Sequence, residues 1–211
     1  MKNMFKFWGI IAFAAVIVFS MIGCGEDNSG DNKSGDGGIN FSDAKWSNIE
    51  VYNSDGSALY NGSNVTFTKV GYGTAKTFSE VSNNPSAWNV KIINNKLSVA
   101  LGNPDKAAHS DMIPNSVNQD GLKVIVYAEF EDDNGNTLSL IDPDHNDGVK
   151  YIFFAYADKT GIISGSADPV NFNLNLKAGW NTVIYTAVPL VSATFTTGAP
   201  GSNFKWVYSG D

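Results

Sequence analysis

Residues 122–141 read LKVIVYAEFEDDNGNTLSLI. Two strand-like runs, Leu122 to Glu131 and Asn136 to Ile141, flank Asp132-Asp133-Asn134-Gly135. Asn-Gly between alternating apolar runs is the strongest short hairpin signal, because both residues tolerate the positive φ of a tight turn. The stretch therefore predicts an antiparallel β-hairpin at the centre of the chain.

The same grammar extends in both directions. Val149 to Ala157 is almost continuously apolar, which predicts a central strand buried on both faces. Asn171-Phe172-Asn173-Leu174-Asn175-Leu176 alternates without a fault, and Lys177-Ala178-Gly179 turns the chain into Trp180 to Val188. Val191 to Thr196 and Phe204 to Tyr208 complete the C-terminal side. Towards the N-terminus, Ile49 to Tyr52, Leu59-Tyr60, Val65 to Val70, Trp88 to Ile93 and Lys96 to Leu101 read as strands. The last two flank Asn94-Asn95, a second tight hairpin.

About ten short strands with Gly and Asn turns predict an all-β domain over residues 40–211. An antiparallel β-sandwich is the first expectation, because the strands are unevenly spaced and Asn103 to Gly121 is a long polar connection. A β-barrel is the alternative. The connection, with its two prolines, has room for one short helical turn.

Residues 1–23 differ from all of this. Lys2 and Lys6 precede an apolar run from Phe7 to Ile22, interrupted only by Gly9 and Ser20. A positive start, an apolar centre and a small-residue cleavage site describe a secretory signal. Met21-Ile22-Gly23-Cys24 then resembles the lipobox of bacterial lipoproteins, with methionine where leucine is usual. The resemblance implies lipid on the Cys24 thiol, cleavage between Gly23 and Cys24, and a membrane partner engaged through that lipid. It covers only the leader. Without the cysteine chemistry, the same run would be a short signal anchor.

Residues 24–39 read as the lipidated cysteine and a flexible tether. Gly25 to Gly38 holds five glycines in fourteen residues and no apolar side chain. Nothing there repays the entropy of ordering. Such a tether spans about 20 Å and keeps the domain close to its membrane. The lipoprotein resemblance also implies sorting by the residue after the cysteine, and Gly25 there, rather than aspartate, implies the outer membrane of the cell envelope.

Composition narrows the function. All fourteen basic residues of the 211-residue chain are lysines. Two lie in the leader, so twelve face 21 acidic residues in the mature chain, a formal −9. An acidic domain without arginine lacks the forks and the field that nucleic acid requires. Cys24 is the only cysteine, so no disulfide within the chain supports the fold.

Catalytic constellations are sparse. His109 and His145 lie in polar loops, and His109-Ser110-Asp111 are adjacent, so they do not face one another as a triad does. Glu129 and Glu131 share one strand face about 7 Å apart, and the expectation is a charged outer face in solvent beside Lys123. Asp142, Asp144 and Asn146 occupy the first, third and fifth positions of a calcium loop. The pattern then fails at Asp147, where glycine belongs, and at Phe153, where glutamate belongs. Calcium is thus the one cofactor that the sequence suggests, and an acidic turn is the simpler reading. Trp46, Trp88, Trp180 and Trp206 suit either a sugar platform or a β-core, with the core favoured.

The reading that results is a lipid-anchored, non-enzymatic binding or structural module of the bacterial envelope. Its partners would be a glycan or an envelope or host protein. A carbohydrate-active enzyme using carboxylates and an assembly scaffold are the alternatives.

Overall fold

The computed structural model describes residues 44–59, 64–72, 74–105, 113–118, 120–127, 129–143, 148–189 and 191–210. The leader, Cys24 and the tether lie outside these residues. So do Tyr60, His109, Ser110, Asp111, Asp144, His145, Asn146 and Asp147.

The fold is all-β. In chain order the strands are β1 (Lys45–Asn53), β2 (Val65–Tyr72), β3 (Thr74–Thr77), β4 (Asn89–Ile93), β5 (Lys96–Ala100), β6 (Val124–Tyr127) and β7 (Glu129–Asp132). They continue as β8 (Thr137–Ile141), β9 (Val149–Ala157), β10 (Gly161–Ala167), β11 (Val170–Leu176), β12 (Gly179–Val188), β13 (Ser192–Thr197) and β14 (Lys205–Tyr208). One short helix, α1 (Phe78–Val81), and a 3₁₀ turn (Pro85–Ala87) join β3 to β4.

Of the two expected architectures, the pairing selects the barrel. β8, β14, β1, β5, β4, β2 and β7 hydrogen-bond in a ring that closes from β7 back to β8. Closure removes the exposed edges that an open sheet of this size would present. A second, outer sheet continues from the barrel in the order β9, β12, β13, β11, β10, with β6 on the other edge of β9. β8 joins the two by dividing its partners: Thr137 and Leu138 pair with β7, Leu140 and Ile141 with β9. Most pairs are antiparallel, but β1 with β14 and β11 with β13 are parallel.

Each sheet builds its own core. Phe67, Ile92, Leu97, Phe130, Leu138 and Trp206 fill the barrel. Phe153, Leu174, Leu176, Val183 and Phe195 lie on one face of the outer sheet. β9 serves both, with Ile152 and Phe154 towards the barrel and Phe153 and Ala155 towards the second core. That double duty is why its sequence is almost continuously apolar rather than alternating.

Two strands have no counterpart in the expectation. β3 is a four-residue edge strand. β10 (GIISGSA) carries glycines where Leu122 and Val117 approach it closely. A Cβ at Gly161 would lie 2.6 Å from Leu122, and one at Gly165 would lie 3.1 Å from Val117. Ile113, Val117 and Leu122, at the end of the long connection and just after it, belong to the second core. The connection's expected helical turn takes the form of hydrogen-bonded turns, Val117 N–H to Pro114 and Asn118 N–H to Asn115.

Candidate functional site

The four indoles are core residues before they are anything else. Trp46, Trp88 and Trp206 are buried, and Trp180 is half-buried. Trp88, Tyr127 and Trp180 touch one another at centroid distances of 5.8–5.9 Å, with Phe78 stacked on Trp88. Their Trp Nε1 and Tyr hydroxyl groups have no hydrogen-bond partner. Edge-to-face contacts between the rings offer only weak π acceptors in exchange. Burial pushes the Tyr127 hydroxyl far above the usual phenol range. Trp88, Tyr127 and Phe78 are buried inside this cluster, and Trp180 lies half-buried at its edge.

The carboxylates depart from expectation. Glu131 does not stand in solvent beside Lys123; it is ion-paired with Lys69 at 2.8 Å, both side chains being largely covered. Glu129 is also partly buried, lying across Gly71, where an added Cβ would come within 3.5 Å of its side chain. Burial first, and then the Glu131 charge, raise its pKa above the usual carboxylate range. Register is the cause: Glu129 lies opposite Gly71 and Glu131 opposite Lys69 of the neighbouring β2, so partners from a distant strand cover a face that alternation alone assigns to water. Burial, with smaller contributions from Glu129 and Tyr185, pushes the Tyr151 hydroxyl up to about 12.

Of the calcium candidates, Asp142 is nearly buried, with its carboxylate 3.8 Å from Lys150 Nζ. Asp144 and Asn146 fall outside the described residues. Among the described residues no group of three metal-ligating side chains comes together.

The distinctive surface is one that no motif announced. β9 and β12 turn one face towards the barrel, and the same face of β13, β11 and β10 extends beyond it. Register places its side chains in rows across the strands. Ser166 pairs with Asn171, Asn171 with Thr194, Thr194 with Thr186, and Thr186 with Lys150. In the next row Ser164 pairs with Asn173, Asn173 with Thr196, Thr196 with Ile184, and Ile184 with the buried Ile152. Ser164, Ser166, Asn171, Asn173 and Asn175 are exposed, and Thr194 and Thr196 are half-exposed.

Side chains in such a face stand about 4.8 Å apart across strands and about 6.8 Å apart along them. The first charge met is Lys150, engaged by Asp142 and 5.4 Å from the ring centroid of Phe204. Residues 198–204 border the face. Thr182 Oγ1 donates to the Gly198 carbonyl at 2.7 Å, and a Cβ on Gly198 would lie 3.0 Å from Ile184. The result is a flat floor of amides and hydroxyls beside a loop.

Neutral donors and acceptors on a rigid sheet exchange hydrogen bonds with water at little cost. Each bond to a ligand then contributes about 0.5–1.5 kcal/mol, so such a face gains strength by engaging several groups at once. The alternation of 171–176 is legible in the sequence, and the structure turns its asparagines outward. What was not visible was β10, or that β11 and β13 lie side by side.

No protein-family model matches the chain, and no curated protein or solved structure matches it either.

Proposed function

We propose that this chain is a lipid-anchored module of the bacterial cell envelope that holds neutral glycans on the polar face of its outer sheet. The observation that carries the reading is the uncharged rows Ser166-Asn171-Thr194-Thr186 and Ser164-Asn173-Thr196. Glycans offer many hydroxyls in fixed array, and a flat field of amides and hydroxyls answers them without the desolvation of a charge. The formal −9 of the mature chain disfavours acidic polymers. The lipid on Cys24 and the short tether would keep this face near the outer membrane.

A carboxylate enzyme is the second reading, favoured by one observation. Glu129 is raised towards its protonated form while its strand neighbour Glu131 is ion-paired. A buried carboxyl held towards its protonated form can serve as a general acid, with the ion-paired Glu131 carboxylate as its strand neighbour.

The test is a glycan array probed with the mature lipoprotein in detergent. Binding to neutral glycans, lost when Asn171→Asp and Asn173→Asp are combined, supports the reading; no neutral glycan bound overturns it. Release of reducing ends that Glu129→Gln abolishes would establish the enzyme instead. For the anchor, Cys24→Ala should eliminate labelled fatty acid from the protein, and continued labelling would dismiss Cys24 as the lipid site.

A further inference from the structure

We infer that the glycan held on this face is built from N-acylated amino sugars; the inference rests on the glycan-binding reading above. One exposed, large apolar side chain borders the polar rows. Ile162 of β10 is 53% exposed, lies on the polar face, and pairs in register with Asn175. Its strand neighbour on that face is Ser164, which pairs with Asn173.

A lone exposed isoleucine is ordinary on a protein surface. Its position here is what matters, because it borders two primary amides about 6.8 Å apart on β11. Each primary amide carries two donors and an acceptor, and so matches the N–H and C=O of an acylamino group. The acyl methyl needs apolar surface beside those amides, and Ile162 supplies it. A glycan bearing hydroxyls alone brings ring C–H groups to that surface, but no amide to pair with the two asparagines and no acyl methyl to fill the space beside them.

Ile162 is also held in place. Its backbone N–H, which points out of the sheet edge, donates to Asp120 Oδ2 at 2.8 Å. Lys159 Nζ donates to the Asp120 carbonyl at 2.8 Å, tying the same turn to the strand. Preorganisation of this kind lowers the entropy lost when a ligand docks.

The experiment compares two oligosaccharides of equal length with the full mature lipoprotein in detergent, by equilibrium binding. One is a β-1,4-linked tetramer of N-acetylglucosamine, the other a β-1,4-linked tetramer of glucose. The acylated tetramer should bind about tenfold more tightly, equivalent to about 1.4 kcal/mol. Ile162→Ser, an exposed substitution, should bring the ratio of the two affinities close to one. Equal affinity of the unaltered protein for both tetramers overturns this inference and leaves the glycan reading standing. A protein that binds neither tetramer and no glycan on the array overturns both. Such sugars occur in cell walls and in external polymers, so chitin and purified sacculi serve as separate capture arms. Capture by either supports the inference and assigns its source, and capture by neither counts against it.

Discussion

Tyr208 donates its hydroxyl proton to Asp132 Oδ2 at 2.9 Å, joining β14 to β7 across 76 residues of chain. The carboxylate is buried and also accepts the backbone N–H groups of Asn134 and Asn136, each at 2.9 Å, and Asn136 Nδ2 at 3.0 Å. One side chain thus organises the Asn134-Gly135 hairpin and pins the last barrel strand to it.

Removing that acceptor leaves the buried Tyr208 hydroxyl and three partly buried N–H donors without this partner. Asp132→Ala should therefore cost about 3 kcal/mol, and Tyr208→Phe about 1 kcal/mol, in urea unfolding. Losses below a few tenths for both would show that the network contributes nothing to closure.

The same group sets an acid limit. Burial raises the Asp132 pKa, but the hydrogen bonds from Asn136, Tyr208 and Asn134 outweigh it, and the net shift is downward. A carboxyl with a depressed folded-state pKa contributes its full stability above an unfolded value of about 3.9 and loses it as pH falls through the folded value. The stability gap between the native protein and Asp132→Asn should be constant near neutrality and shrink below about pH 4. A gap that widens in acid would contradict this account.

Glu129 has the opposite sign. Its folded-state pKa is raised, so its favourable state is the protonated one, fully present below an unfolded value of about 4.3 and lost as pH rises through the folded value. Glu129→Gln should stabilise the domain at pH 7 and make no difference below about pH 4. A variant less stable than the native protein at pH 7 would mean that the carboxylate has a favourable partner.

The β4–β5 hairpin rests on two left-handed asparagines, Asn94 at φ 50° and Asn95 at φ 65°. Asn95→Gly should be neutral or stabilising by about 0.5 kcal/mol, whereas Asn95→Val should cost about 1–2 kcal/mol. Equal melting temperatures for the two variants would disprove the conformational explanation.

Gly148 enters β9 directly against β12. A Cβ there would collide with the backbone carbonyl of Ala187, which cannot move without breaking the ladder. Gly148→Ala should destabilise by about 2 kcal/mol. An unchanged denaturation midpoint would show that the two strands can separate locally.

The sequence by itself determined the all-β class, the strand at Val149 to Ala157 to the residue, the alternation of 171–176 and both asparagine turns, although the expected arm Leu122 to Glu131 divides into β6, which pairs with β9, and β7, which pairs with β8. These are local properties: period-two burial and positive φ are set by a residue and its neighbours, and they can be read within a short window. Barrel closure could not be read that way. It depends on β14 lying parallel to β1 and antiparallel to β8, partners chosen by the packing of Trp46, Phe154 and Trp206 rather than by any turn. β10 was hidden because its glycines admit Leu122 and Val117, a requirement imposed from across the sheet. The polar face is tertiary in the same sense. Ser164, Asn173 and Thr196 come from three strands, and only their register makes one surface, since the free energy that fixes register comes from partners distant in the chain.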